Sequence, residues 1–186
     1  MLSVLYYIYC SEMWNQLDAL TGLLNQNSYL NRTAEMRRSG GVLVVFDVDD
    51  FKRINDELGH AVGDEALWHT ADILRGVFGK DPVFLARYGG DEFVLIYSGM
   101  SEEETYRWAE HLKQMILRQA VEHKYSKAAE VLTISQGICW GVPVEENKVW
   151  DYLHAADELL YQVKKVSRNS IRLGHLGDVE RFANHD

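Results

Sequence analysis

Two groups of acidic residues carry the side chains in this sequence that are best suited to chemistry. The first, Asp47–Asp50, follows the apolar run Val42–Phe46. The second, Asp91-Glu92, stands between the pair Gly89-Gly90 and the apolar run Phe93–Tyr97. A glycine pair between two apolar runs predicts a tight β-hairpin with both carboxylates at its tip. Carboxylates from two strand ends that meet in space would provide the oxygen ligands of a hard divalent cation.

The first acidic group also has an ordinary structural interpretation. On a strand, the side-chain period of two places Asp47 and Asp49 on one face, where they repel each other unless a cation neutralises them. Taken alone, the group is more typical of a solvated turn that ends in a helix cap. The second acidic group, Asp91-Glu92, shifts the balance towards a metal site.

Two further sets of polar residues have a structural and a functional alternative each. Asn55 and Asp64 lie in a turn-rich segment and could cap helices or read the edge of a guanine base with amide and carboxylate groups. Lys164 and Arg168 are spaced i,i+4, which predicts one helix face. Such a pair could bind a polyphosphate or simply complement the end of a helix dipole.

Composition indicates an ordinary globular chain. Its 186 residues suit one domain, 47% of them are hydrophobic and 25% are charged. The net charge of -9 argues against nucleic acid as a partner, because such binding needs a basic face. Cys10 and Cys139 are far apart and lack metal-ligand spacing, so neither a disulfide framework nor a zinc site is predicted. The apolar start is too short to span a bilayer and lacks the basic region of a signal peptide.

The order of the predicted elements indicates an α/β (α+β) sandwich. A mixed central sheet of about five strands, with helices on both faces, follows from strands that alternate with helices around one hairpin. A linker helix is predicted over residues 1–17, one domain over 18–173 and a loosely ordered tail over 174–186. Ser101 begins a capping box, Asp64 is a candidate cap, and strands are expected near residues 131–140 and 171–173.

Four ordered motifs together resemble the GGDEF family of diguanylate cyclases. The resemblance spans about residues 17 to 173, and it implies a fold like that of nucleotidyl cyclases and polymerase palm domains. The matching segments are Asp18–Asn25, Phe46–Asp64, Arg87–Phe93 and Ala156–Lys164, the last followed by Arg168-Asn169.

The resemblance implies a role for each matched residue. Asp47, the backbone carbonyl of Val48 and Asp91 would hold Mg²⁺ or Mn²⁺. Glu92 would help to activate a 3′-hydroxyl or support the metal. Substrate GTP would contact the remaining residues: Asn55 and Asp64 at guanine, the backbone around Phe51 and Lys52 together with Lys164 and Arg168 at the phosphates, and Gly90 where the nucleotide approaches the backbone.

The family implies a metal-dependent condensation of two GTP into cyclic di-GMP across a homodimer. It also implies a sensory module upstream and a cytoplasmic catalytic domain, with or without a membrane tether in upstream sequence. The family's Arg-x-x-Asp product-inhibition site corresponds here to Lys80–Val83, where Lys80 replaces the arginine and Val83 replaces the aspartate, so no such inhibition is expected. The alternative function is a catalytically silent domain that senses GTP or binds another protein.

Overall fold

A central antiparallel strand organises the protein. The computed structural model describes residues 15–28, 41–78, 84–97, 99–141 and 149–176. The strands are β1 (Gly41–Val48), β2 (Phe84–Gly89), β3 (Glu92–Tyr97), β4 (Ile134–Gly141) and β5 (Ile171–His175). They form one sheet in the order β2-β3-β1-β4-β5, in which only β4 and β5 run parallel. The predicted mixed sheet of five strands is therefore confirmed.

Helices cover both faces of this sheet. They are α1 (Phe51–Leu58), α2 (His60–Phe78), α3 (Glu102–Arg118) and α4 (Val149–Val166). Side chains of β1 alternate between two apolar clusters, since Val44 and Phe46 pack with α1, α2 and α3, whereas Val45 packs with α4. Burial on both faces explains the unbroken apolar run of this strand.

Gly137 lets α4 lie unusually close to the middle of the sheet. A Cβ atom at this position would stand 2.0 Å from the carbonyl oxygen of Ala156 and 2.4 Å from the amide nitrogen of Leu160. Only a residue without a side chain fits between the two backbones. Because α4 packs so closely on β4 at Gly137, this contact fixes the position of the C-terminal end of the helix relative to the sheet.

Some predicted helix positions are wrong. Asp64 is not a cap, because α2 begins at His60, directly after Gly59 with its φ of +90°, and contains Asp64 in its second turn. Lys164 and Arg168 do not share a helix face, because α4 ends at Val166 and Arg168 has a φ of +45°. The capping box at Ser101 is confirmed by reciprocal hydrogen bonds with Glu104.

Two predicted boundaries also differ from the structure. Residues 15–18 form turns and a bridge rather than the end of a linker helix, and residues 1–14 lie outside the described residues. β5 runs to His175, past the predicted start of the tail at residue 174, because it pairs with β4 as far as Trp140. Lys80–Val83 lies outside the described residues. Among those that are described, no helix combines the length and apolarity needed to cross a membrane.

Candidate active site

Strand pairing brings the two acidic groups together. The predicted β2–β3 hairpin is confirmed, but of the two carboxylates expected at its tip only Asp91 lies in the turn, because Glu92 is the first residue of β3. Gly90, the other turn residue, takes a φ of +49° that a side chain would strain. Glu92 pairs directly with Asp47 across β3 and β1. The amide of Val48 donates a hydrogen bond of 3.3 Å to the carbonyl oxygen of Asp91. The hairpin tip is thereby fixed against the carboxyl end of β1.

Asp47 and Asp91 form a buried pair of carboxyl groups. Asp47 is only 5% exposed. Burial raises its pKa to about 7, the negative charge of Asp91 adds to this rise, and the ammonium group of Lys164 opposes it. Burial also raises the pKa of Asp91, which the nearby ammonium group of Lys164 opposes. Two desolvated acids this close strongly favour the arrival of positive charge.

α4 supplies one such charge. The ammonium nitrogen of Lys164 lies 2.6 Å from Oδ2 of Asp47. The same helix presents Asp157 towards Glu92, and together with burial this second carboxylate raises the pKa of Glu92. The sequence motifs included Asp157, but its spacing gave no sign that it faces the hairpin.

Asp49 has a different use from Asp47. Its carboxylate accepts hydrogen bonds from Oγ1 of Thr133 at 2.7 Å, Oγ of Ser135 at 2.6 Å and the amide of Asn169 at 2.9 Å. Each of these donors belongs to β4, its approach, or the turn after α4. Asp49 is therefore a structural carboxylate, which joins the end of β1 to the start of β4 and to the turn after α4.

The turn that follows α4 brings Arg168 to the end of β1. Nε of Arg168 lies 3.4 Å from Oδ1 of Asp50, which is the N-cap residue of α1. Lys164 and Arg168 thus reach the end of β1 by separate routes, one from a helix and the other from a left-handed turn. Their side chains are about one-third exposed, which leaves part of each charge open to a ligand.

The remaining predicted substrate residues lie on α1 and α2. Asn55 is half-buried, and its Oδ1 packs so closely on Gly63 that an added Cβ would stand 2.0 Å from it. This contact places Asn55 beside the turn of α2 that carries the exposed Asp64. Phe51 is buried in the core, so only its backbone is available, whereas Lys52 is exposed.

An ion pair that the sequence did not reveal supports the hairpin from outside. Nη1 of Arg87 lies 3.1 Å from Oδ1 of Asp18, and Nε of Arg87 donates to the carbonyl oxygen of Gly90 at 2.9 Å. Asp18 also accepts hydrogen bonds from the amide and hydroxyl of Thr21. The opening segment, residues 17–25, is thereby tied to the hairpin tip. The one available signal was a charged residue in an otherwise apolar strand.

The donor set at Asp47 and Asp91 fits a small divalent cation. Among the described residues, no three side chains of His, Cys, Asp or Glu are grouped closely enough to enclose a metal. Two carboxylates with a nearby backbone carbonyl, that of Val48, match the way in which Mg²⁺ is held when substrate phosphates complete its shell. The residues therefore suit a cation that binds together with a phosphorylated ligand.

Comparison with known proteins identifies the family. The model of the family described as "Diguanylate cyclase, GGDEF domain" matches residues 15–170. Diguanylate cyclase DosC of Escherichia coli is 36% identical over 167 residues, which cover 84% of this chain and 35% of that protein. Probable diguanylate cyclase DgcI of the same organism is 35% identical over 170 residues, or 90% of this chain and 34% of its own length. The chain spans about a third of the length of these relatives.

Solved structures agree. The GGDEF domain of PA1120 (TpbB or YfiN) from Pseudomonas aeruginosa is 29% identical, with a TM-score of 0.76 over 91% of this chain and 99% of that one. The coiled coil and GGDEF domain of DgcB from Caulobacter crescentus shares the fold, with a TM-score of 0.82, 23% identity and 92% coverage of both chains. The chain belongs to the GGDEF family of diguanylate cyclase domains.

Proposed function

We propose that this protein condenses two molecules of GTP into cyclic di-GMP. In each half-reaction the 3′-hydroxyl oxygen of one GTP attacks the α-phosphorus of the other. The bond between the α-phosphorus and the α–β bridging oxygen breaks, and pyrophosphate leaves with the bonding electron pair. Two such steps give one cyclic di-GMP and two pyrophosphates, and both GTP molecules must face each other, so the active form is a homodimer.

The observation that carries this proposal is the pair of desolvated carboxyl groups of Asp47 and Asp91, with the ammonium group of Lys164 in contact with Asp47. A Mg²⁺ or Mn²⁺ ion held by these carboxylates and the carbonyl of Val48 would supply Lewis-acid stabilisation of phosphate charge. Lys164 and Arg168, whose charges lie beside Asp47 and Asp50, would bind the outer phosphates. Glu92, whose pKa is raised by burial and by Asp157, is suited to accept the proton of the 3′-hydroxyl.

Two details of the local backbone support nucleotide binding. A Cβ atom added at Gly89 or Gly90 would meet no atom of the described chain within 4 Å, so the surface there is open to a ligand. The N-terminus of α1 has no side-chain cap, which leaves its first amides available to phosphate oxygens. Asn55 and Asp64 then offer an amide and a carboxylate to guanine.

The decisive experiment incubates the protein at high concentration with GTP and Mg²⁺ and separates the products by chromatography. We expect cyclic di-GMP and two equivalents of pyrophosphate, a rate that rises more than linearly with protein concentration, and no product from Asp91→Asn. GTP binding without any cyclic dinucleotide would instead support a silent, GTP-sensing domain. Added cyclic di-GMP should not inhibit through Lys80–Val83, and inhibition that disappears in Lys80→Ala would contradict that expectation.

A further inference from the structure

The N-cap residue of α1 does not act as a cap. Asp50 has a φ of +55°, and its side chain makes no hydrogen bond to the first amides of the helix. An aspartate at this position ordinarily accepts a hydrogen bond from the second or third residue of the helix. The carboxylate of Asp50 instead turns away and is 8% exposed. Its partners therefore lie elsewhere in the chain.

Those partners lie on the segment between α3 and β4. Oδ2 of Asp50 accepts a hydrogen bond of 2.7 Å from the amide of Lys127 and one of 3.2 Å from Oγ of Ser126. Oδ1 faces Nε of Arg168. Burial acts to raise the pKa of Asp50, but the Lys127 amide and the charge of Arg168 outweigh it and hold this pKa below its ordinary value. Asp50 is thus a charged group shared by this segment and by Arg168, to which the proposed function assigns the outer phosphates.

The segment that carries Ser126 and Lys127, here called the 121–132 loop, is closed at its base. Backbone hydrogen bonds of 2.8 Å join Leu132 to Val121 and His123 to Glu130. Nη1 of Arg53, on α1, donates to the carbonyl oxygen of Tyr125 at 2.9 Å, which adds a second attachment of the loop tip to α1. A loop that is closed at its base and held at its tip can keep a neighbouring turn in one conformation.

We propose that Asp50 is a positioning residue for the triphosphate, held in place by the 121–132 loop. This inference rests on the proposed function, since it concerns the phosphate end of the same site. By accepting from the loop, Asp50 leaves the first amides of α1 free, and by pairing with Arg168 it directs that guanidinium towards the same place. Damage to this arrangement should weaken binding of the β- and γ-phosphates and leave guanine binding unchanged.

The test compares two ligands by calorimetry in the presence of Mg²⁺. One is GMP, and the other is a GTP analogue with a methylene bridge between the α- and β-phosphorus atoms, which cannot cyclise. Asp50→Asn removes the charge that faces Arg168. Lys127→Pro removes the amide donor, and Lys127→Ala is its matched control, because the backbone amide remains and the exposed side chain alone is shortened.

Asp50→Asn and Lys127→Pro should each weaken binding of the triphosphate analogue by about five- to tenfold and change GMP affinity by less than about twofold. Lys127→Ala should change neither. Ser126→Ala should give a smaller loss, and Ser126→Thr should restore wild-type affinity. Thermal melts identify any variant that fails to fold, and Asp50→Asn with the Ser126 pair then decides the question.

Three results would overturn the inference: unchanged affinity for the analogue in Asp50→Asn, an equal loss for GMP, or a loss in Lys127→Ala as large as in Lys127→Pro. The proposed function fails separately. If the wild-type protein binds the analogue and forms no cyclic di-GMP, catalysis is refuted, while selective loss of triphosphate binding still supports the role of Asp50. A wild-type protein that does not bind the analogue contradicts both.

Discussion

Asp47 and Asp49 stand two residues apart at the end of one strand, and both are buried, yet their surroundings are opposite. Asp49 meets three hydrogen-bond donors and is fully engaged by its own protein. Asp47 meets two other carboxylates and one ammonium group. A buried carboxylate that is satisfied holds a fold together, whereas one that is left short of positive charge is prepared to bind a ligand.

Removing the charge of Asp47 should have the largest effect on activity. Asp47→Asn should reduce formation of cyclic di-GMP by at least about 1,000-fold, because the cation that neutralises the phosphate charge would lose a direct ligand. The same change removes repulsion from Asp91, so the free energy of unfolding should stay the same or rise. Product chromatography and urea denaturation measure the two effects. Asp56→Asn, an exposed change on α1, is the matched control and should alter neither.

Removing the carboxylate of Asp49 should have the largest effect on stability. Asp49→Ala leaves three donors without an acceptor, two of them buried, which should lower the free energy of unfolding by about 3 kcal/mol or more. Asp49→Asn keeps one acceptor oxygen and should lose less. Urea denaturation of Asp47→Ala provides the contrast. If Asp47→Ala destabilised the protein as much as Asp49→Ala, the division between a structural and a functional carboxylate would be wrong.

A substitution at Gly137, where β4 contacts α4, tests whether the position of Lys164 depends on the close packing of this helix on the sheet. Gly137→Ala places a Cβ between two backbones, which should cost about 1–3 kcal/mol and should lower activity by moving Lys164 away from Asp47. Gly76→Ala is the control, since nothing lies within 4 Å of its Cβ position in α2 and alanine favours the helix. Equal stability and activity for Gly137→Ala would show that α4 can shift without consequence for the site.

The raised pKa of Asp47 predicts a smaller, pH-dependent effect. The uncharged carboxyl favours the folded state, so its contribution to stability is complete below pH 3.8 and is lost as the pH rises through about 7. A cation binds the ionised carboxylate, so the affinity of the site for the cation should rise as the pH rises through about 7. Mn²⁺ affinity, measured by electron paramagnetic resonance, should fall by up to about tenfold for each pH unit below 7. An affinity that is constant between pH 6 and 8 would mean that Asp47 is not a ligand.

The sequence predicted what depends on local pattern. The apolar runs predicted β1 and β3, the glycine pair predicted the hairpin, and four motifs indicated the family. Partners across the chain were not predictable. Nothing near Asp49 in the sequence indicated that Thr133 and Ser135 would donate hydrogen bonds to it. The spacing of Lys164 and Arg168 suggested a common helix face, because residue spacing does not reveal the left-handed turn that follows Val166. The sequence predicts a cap at Asp64 because Gly59 and Gly63 both resemble helix breaks, whereas in the structure Gly63 lies inside α2 and packs against Asn55.

The opening segment has a consequence beyond the support of the hairpin. β2 lies at one edge of the sheet, where unpaired backbone groups of a strand can recruit strands from other molecules. Leu24 forms a parallel bridge with Ala86, and its carbonyl oxygen accepts the amide of Arg87 at 2.8 Å. Residues 17–25 thereby occupy part of that edge. The same residues that support the hairpin turn also cover part of this edge. A chain shortened beyond residue 25 would lose that support and would leave more of the edge open to strands of other molecules.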